Sequence, residues 1–275
     1  MRDTKSMKQQ VKNADFRARY GRWALVAGAS EGLGAEFAAQ LAARGLNLVL
    51  VARRKELLEQ IGAQLTREYT IEVRTLPLDL GGEDVGELIE AATGDIEIGL
   101  LVYNAALSMI GPYFEISLED HLKEIAVNCR APLTLSYLLG QHMLKRRRGG
   151  IILMSSLSSS QGSPLITNYS ATKAYNRLLA EGLWDELRAQ GIDVLTCSAS
   201  AVSTPGYQAS TPGRTSVSAM TPRAVVSETL AALGKQPVVI PGWTNRVANV
   251  VMQRLLPHKT AIILMGRVLR GMYQK

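Results

Sequence analysis

Short apolar runs alternate with longer amphipathic segments along most of the chain. The apolar runs cover residues 23–27, 46–52, 73–78, 99–103, 151–156, 193–199 and 237–240, and the segments between them predict helices at 33–44, 54–68, 83–92, 118–145, 164–190 and 222–233. Strands that are apolar on both faces and separated by helices are typical of a parallel sheet covered on both sides. The pattern therefore predicts one doubly wound α/β domain with about seven strands.

Composition is consistent with this interpretation. The chain has 275 residues, of which 47% are hydrophobic, and this suits one globular domain with a large core. No apolar segment approaches the roughly 20 residues that a membrane span requires, and the first residues lack the apolar stretch of a secretory signal, so we expect a cytoplasmic protein. Cys129 and Cys197 fall in a predicted helix and a predicted strand without metal-ligand spacing. We interpret both as small buried hydrophobic residues.

Positive charge is concentrated at the two ends of the chain. Residues 1–23 carry +5 and residues 246–275 carry +6, which leaves −4 for the remainder. A mildly acidic body argues against a nucleic-acid groove, and we predict no nucleic-acid partner. We divide the chain into a basic N-terminal extension, residues 1–21, a main domain, residues 22–245, and basic amphipathic helices, residues 246–275. These helices could lie on an anionic membrane, but packing on the domain or a partner subunit is the favoured interpretation.

The stretch AGASEGLG, residues 27–34, places three glycines between the first strand and the first helix. In a dinucleotide-binding fold, Gly28 would permit the sharp turn, and the absence of side chains at Gly32 and Gly34 would let a pyrophosphate approach the backbone. Ser30 and Leu33 of the same turn complete the predicted contacts. The spacing is G-x-x-x-G-x-G, which differs from G-x-G-x-x-G.

Tyr169 and Lys173, in the stretch YSATK, are four residues apart and would share one helix face. An ammonium group beside a phenol favours the phenolate and would lower its pKa from about 10, as a general acid/base requires. Ser156 closes a predicted strand, where its hydroxyl could hydrogen-bond a substrate oxygen.

The glycine spacing, the Tyr-x-x-x-Lys motif, the Ser thirteen residues before the Tyr and Asn128, twenty-eight residues further back, together resemble the short-chain dehydrogenase/reductase family. The resemblance covers residues 22–245 and implies a Rossmann fold. It also implies that Lys173 holds the nicotinamide ribose, that Asn128 anchors a relay water, and that the protein forms a homodimer or homotetramer. Further cofactor contacts implied by position are Asp79, Asn104, Val202 and Thr204.

The end of the second predicted strand indicates which cofactor is bound. Dinucleotide folds specific for NAD usually carry an acidic residue there, whereas a nearby Arg accommodates the 2′-phosphate of NADP. Here the acidic position is Ala52, and Arg53 and Arg54 follow it. We therefore predict NADP(H), with Arg53 on the phosphate and Arg54 assisting.

Three segments are predicted to form the substrate pocket: the loop after the fourth strand, residues 157–165, and a lid at residues 204–220. Their apolar candidates are Met109, Ile110, Tyr113, Phe114, Leu157, Leu165 and Tyr207. Because few of the residues in these segments are charged, the predicted pocket suits an apolar ketone or secondary alcohol.

The sequence thus predicts an NADP(H)-dependent oxidoreductase that interconverts a small-molecule carbonyl and an alcohol. Asn128, Ser156, Tyr169 and Lys173 form its catalytic set, and no metal is expected. Two alternatives stay open: a catalytically silent NADP(H)-binding sensor or scaffold, and an epimerase or dehydratase on the same fold.

Overall fold

The computed structural model describes residues 13–210 and 219–273, and a seven-stranded sheet lies at its centre. The strands are β1 (Trp23–Ala27), β2 (Asn47–Ala52), β3 (Val73–Pro77), β4 (Ile98–Tyr103), β5 (Gly149–Ser156), β6 (Ile192–Ala199) and β7 (Val238–Val239). All neighbouring strands pair in parallel, in the order β3-β2-β1-β4-β5-β6-β7. This confirms the predicted doubly wound α/β fold.

Helices connect the strands and cover the sheet. They are α1 (Gly32–Ala42), α2 (Lys55–Tyr69), α3 (Val85–Thr93), α4 (Leu118–Ile125), α5 (Ala131–Arg146), α6 (Thr167–Arg188), α7 (Pro205–Ser210), α8 (Pro222–Ala232), α9 (Trp243–Val250) and α10 (His258–Tyr273). Residues 13–20 are helical as well. The helix predicted at 118–145 is interrupted by a π-helical turn, Ala126–Arg130, between α4 and α5. Within the described ranges, no helix is both long and apolar enough to cross a membrane.

Each face of the sheet has its own hydrophobic core, because alternate strand residues point to opposite sides. On β1, Val26 packs with Phe37 and other residues of one cluster, while Leu25 packs with Ile89 and Leu135 of the other. Helices α1, α2 and α8 contribute to the first cluster, and α3, α5 and α6 contribute to the second. Burial of both strand faces explains why the strands read as continuous apolar runs.

Residues 13–20, part of the basic N-terminal extension, are attached to the far end of the sheet. Tyr20 is buried in the first core, and its hydroxyl donates a hydrogen bond to Asp193 at 2.7 Å. The Arg19 guanidinium binds the same carboxylate, with Nη2 to Oδ1 at 2.6 Å. The helix at residues 13–20 is therefore joined to β6 by a partly buried ion pair.

The glycine turn has no room for side chains. Gly28 and Gly32 have φ of 81° and 57°, which L-residues other than glycine rarely adopt. A Cβ atom on Gly34 would overlap the carbonyl oxygen of Gly28. Gly34 must therefore be small for α1 to lie directly against the turn, and its predicted role in admitting a pyrophosphate stays a prediction.

We expect Gly34→Ala to lower the free energy of unfolding by about 1–3 kcal/mol, because the added methyl group overpacks the turn. The matched control is Gly182→Ala in α6, where a Cβ atom would meet nothing within 4 Å. That variant should be stabilised by about 0.5–1 kcal/mol, since alanine is the better helix former. Urea unfolding of both variants measures the difference, and equal stability of the two would contradict the prediction.

Candidate active site

The carboxyl ends of the strands open onto a cavity of about 820 Å³. The glycine turn, the ends of β2, β4, β5 and β6, and parts of α6 and α10 line it. The crevice outside the carboxyl ends of the strands is the usual ligand site of a doubly wound sheet. Three of the four predicted catalytic residues, Ser156, Tyr169 and Lys173, line this cavity.

Two hydrogen bonds hold α6 against β5 and bring these three residues together. The Lys173 ammonium donates to the Met154 carbonyl at 3.1 Å, and the Ser155 hydroxyl donates to the Lys173 carbonyl at 2.8 Å. Ser156 is the next residue of the strand, and its hydroxyl accepts a hydrogen bond from the Ser158 N–H at 3.2 Å. The strand end and the helix therefore present their polar groups to one point in the cavity.

The Tyr169 phenol differs from the expectation. Burial raises its pKa to about 12, against the lowering effect of its hydrogen bond with Ser156. The Lys173 ammonium lies 5.6 Å from the centroid of the Tyr169 ring and is hydrogen-bonded to the Met154 carbonyl. The expected lowering of this pKa by Lys173 is therefore wrong for the free chain, because desolvation outweighs a charge that is engaged elsewhere.

Lys173 is itself destabilised in its charged form. Burial lowers its pKa to about 8, although Cys129 and Glu124 raise it in part. The Glu124 carboxyl, also buried, has a raised pKa for the same reason and accepts a hydrogen bond from the Asn168 amide at 2.6 Å. A buried lysine with a pKa near neutrality is a common feature of functional sites.

Asn128 lies in the π-helical turn and does not line the cavity. Its amide donates to the Leu107 carbonyl at 2.7 Å and to the Thr172 hydroxyl at 3.0 Å, and its oxygen accepts from the Leu107 N–H at 2.8 Å. Its backbone carbonyl accepts from the Asn176 amide at 2.9 Å. In this structure Asn128 therefore connects the loop after β4 to α6. Its place in a π-helical turn is also notable, because such turns often occur at functional sites.

Most of the predicted cofactor contacts line the cavity. They are Gly28, Ser30, Gly32, Leu33, Arg53, Arg54, Asp79, Asn104, Val202 and Thr204. Gly34 is absent from this wall because it lies beneath the turn. The Asn104 amide donates to the Gly28 carbonyl at 3.1 Å, which joins the end of β4 to the turn.

The two arginines after β2 have different surroundings. Arg54 donates to the Ser30 hydroxyl at 3.0 Å and forms an ion pair with Glu31 at 2.9 Å. Arg53 is exposed at the cavity wall and has no side-chain hydrogen bond or ion pair with the residues that the structure describes. A glycine turn, a helix N-terminus and an uncommitted guanidinium suit a phosphate-bearing dinucleotide.

The predicted substrate residues separate into two groups. Ile110, Leu157 and Tyr207 line the cavity. The others do not: Met109, Tyr113, Phe114 and Leu165. The Tyr113 ring stacks on His121 instead, and Phe114 is 96% exposed. The predicted lid is described only in part, as α7 and residues 219–220, and its residues 211–218 lie outside the described ranges.

Sequence reasoning missed the contribution of α10 to the cavity. One face of this helix adds the side chains of Met265, Leu269, Met272 and Tyr273 to the wall. Their spacing indicated an amphipathic helix, but spacing alone does not reveal what an apolar face covers. The C-terminal helix therefore closes part of the cavity with mainly apolar side chains.

Comparison with known proteins agrees with this geometry. A family model for short chain dehydrogenases matches residues 22–215. The chain therefore belongs to the short-chain dehydrogenase family of oxidoreductases, which use a nicotinamide cofactor, and the predicted family is confirmed.

Three individual similarities are informative. A 7beta-hydroxysteroid dehydrogenase of Clostridium sardiniense is 35% identical over 237 residues, which cover 84% of this chain and 90% of that protein. A structure from a study of 7beta-hydroxysteroid dehydrogenase stereoselectivity aligns with a TM-score of 0.87 at 29% identity, covering 90% of this chain and 98% of the other. A short-chain dehydrogenase from Sphingobium yanoikuyae in complex with NADPH aligns with a TM-score of 0.74 at 28% identity, covering 80% and 86%.

The buried Lys173 predicts a particular pH dependence of stability. Between about pH 8 and pH 10 the unfolded chain keeps the lysine proton that the folded chain has lost, so stability from this group rises with pH. We expect wild type to gain about 2–3 kcal/mol over this interval relative to Lys173→Met. Urea unfolding of both proteins without cofactor tests this, and a stability difference that does not change with pH would contradict it.

Proposed function

We propose that this protein transfers hydride between NADP(H) and the carbonyl or secondary alcohol of a bulky apolar molecule of the hydroxysteroid class. The observation that carries the proposal is the meeting of Ser156, Tyr169 and Lys173 in one cavity that apolar side chains of α10 also line. Hydroxyl, phenol and ammonium groups suit proton transfer in such a cavity, and the apolar side chains suit a large hydrophobic body.

The roles of the residues follow from their positions. The Tyr169 phenol, held protonated by its raised pKa, donates a proton to a carbonyl oxygen during reduction and accepts it back in the reverse reaction. Ser156 donates a hydrogen bond to the same oxygen and stabilises the charge that develops on it. Lys173 positions the phenol by holding α6 against β5, and its ammonium is the group that would hold the nicotinamide ribose. The bound nicotinamide supplies the hydride chemistry.

The preference for NADP(H) is supported by the residues after β2. No carboxylate occupies the Ala52 position, and the exposed Arg53 guanidinium is available for a 2′-phosphate. The related enzyme from Sphingobium yanoikuyae binds NADPH. Because cellular NADP pools are usually reduced, reduction of the carbonyl is the favoured direction.

A homo-oligomer is part of this proposal. Exposed apolar side chains lie on α4, α5 and α6. They are Leu118, Leu122, Leu133, Tyr137, Tyr175 and Leu178. Exposed apolar surface of this extent on adjacent long helices favours pairing with a second copy.

We expect Tyr169→Phe to lose at least about a hundredfold in turnover, because it removes the proton donor and leaves the ring in place. NADPH oxidation with a panel of oxosteroids measures the rate, and nicotinamide fluorescence checks that cofactor affinity is unchanged. Turnover close to that of wild type would contradict the proposed mechanism. Tight NADPH binding without turnover of any carbonyl by wild type would contradict the proposed function.

We expect Arg53→Ala to weaken NADPH binding about ten- to a hundredfold, because a charge-assisted contact with the 2′-phosphate is lost. Binding of NADH, which lacks that phosphate, should change little. The control is Arg67→Ala on the exposed side of α2, which removes the same charge away from the cavity. Equal effects of Arg53→Ala on the two cofactors, measured by fluorescence titration, would contradict the assignment.

A further inference from the structure

The helix formed by residues 243–255 carries its apolar side chains on the outside. It consists of α9 and the π-helical turn Val251–Leu255. Its exposed stripe, called here the outer stripe, is Trp243, Val247, Val250, Val251 and Leu255. Trp243 is 72% exposed and Leu255 is 69% exposed. A surface helix of a globular protein normally turns such a stripe toward the core.

The opposite face of this helix carries polar side chains that hydrogen-bond to neighbouring parts of the chain. The Asn245 amide donates to the Pro241 carbonyl at 2.8 Å, and Asn249 accepts from the Ser160 hydroxyl at 3.1 Å. The Gln253 amide donates to the Ser160 carbonyl at 2.9 Å. These bonds fix the rotation of the helix and hold it against the loop after Ser156. The outer stripe is therefore a fixed exposed surface.

The helix α10 also has two faces with different surroundings. Its inner face lines the cavity, whereas Ile263, Leu264 and Val268 are exposed on its outer side. Arg267 lies among these three residues and is exposed as well. Each of the two consecutive helices thus exposes apolar side chains beside basic ones.

The charge of this region is of one sign. Residues 246–275 contain six Lys and Arg residues and no Asp or Glu. Arg254 lies in the π-helical turn next to Leu255 of the outer stripe and is exposed. Arg254, Lys259 and Arg267 form no ion pair with the part of the chain that the structure describes. The partner that fits is apolar at its interior and negatively charged at its surface.

We propose that the outer stripe and the exposed side of α10 dock on an anionic lipid surface. A tryptophan beside aliphatic residues suits the boundary between headgroups and acyl chains, and the arginines and lysine suit anionic headgroups. A second copy of this chain is a poorer partner, because a two-fold contact of this face with itself would bring Arg254, Lys259 and Arg267 together. The acidic residue beside this helix, Glu228, is already paired with Arg246. The docking surface is separate from the proposed reaction and does not depend on it.

The test measures co-sedimentation of the full chain with phosphatidylcholine vesicles that contain or lack phosphatidylglycerol. We expect binding that requires phosphatidylglycerol and weakens with added salt. Arg254→Gln should weaken binding roughly fivefold, which corresponds to the loss of one surface charge. The double variant Val247→Ser/Leu255→Ser should weaken it tenfold or more, on the order of one buried aliphatic side chain.

Two matched controls accompany these variants. Phe114→Ser removes an exposed apolar side chain elsewhere, and Lys145→Gln removes an exposed charge at the end of α5. Both should bind vesicles as wild type does. All four variants alter exposed side chains, and thermal unfolding checks that each is folded.

Three results would overturn the proposal. The first is binding that is equal with and without phosphatidylglycerol, and the second is binding that is unchanged in Val247→Ser/Leu255→Ser. The third is the absence of vesicle binding together with an oligomer, seen by sedimentation, that the same double variant dissociates. That third result would assign the outer stripe to a second copy of the chain.

Discussion

The hydrogen bond from the Lys173 ammonium to the Met154 carbonyl is the interaction on which the site depends. The Met154 carbonyl of β5 accepts this hydrogen bond from a buried ammonium group. The bond also fixes the position of α6 along β5. Tyr169, one helical turn earlier, is thereby brought to the end of the strand where Ser156 lies. The same burial that makes this contact necessary lowers the pKa of Lys173 and raises that of Tyr169. Burial therefore accounts both for the positions of Lys173 and Tyr169 and for the shifts of their pKa values.

Two parts of the cavity wall are built by different means. At the glycine turn, backbone geometry dominates: Gly28 and Gly32 have positive φ, and α1 begins there. Beside α10, side chains from separate parts of the chain dominate, including those of α7. Such an arrangement lets the apolar lining vary while the polar groups of Ser156 and Tyr169 are retained.

The final two helices use their faces for different purposes. In α10 the inner face is mainly apolar and closes part of the cavity, whereas the helix of residues 243–255 binds the loop after Ser156 through polar side chains. Both leave apolar and basic side chains outside. Packing on the domain and contact with an external surface, which the sequence presented as alternatives, are compatible because an amphipathic helix has two faces.

The sequence by itself determined the class of fold, the strand positions to within about two residues, and the family, because periodicity and motif spacing are properties of the chain read in order. Ser156, Tyr169, Lys173 and the residues after β2 were accessible in this way. Only the tertiary structure decided that Gly34 is small to let α1 pack on the turn, that Asn128 holds the loop at Leu107, and that α10 walls the cavity. It also decided the raised pKa of Tyr169. These properties arise from burial and from contacts between residues far apart in the chain, which local pattern does not encode.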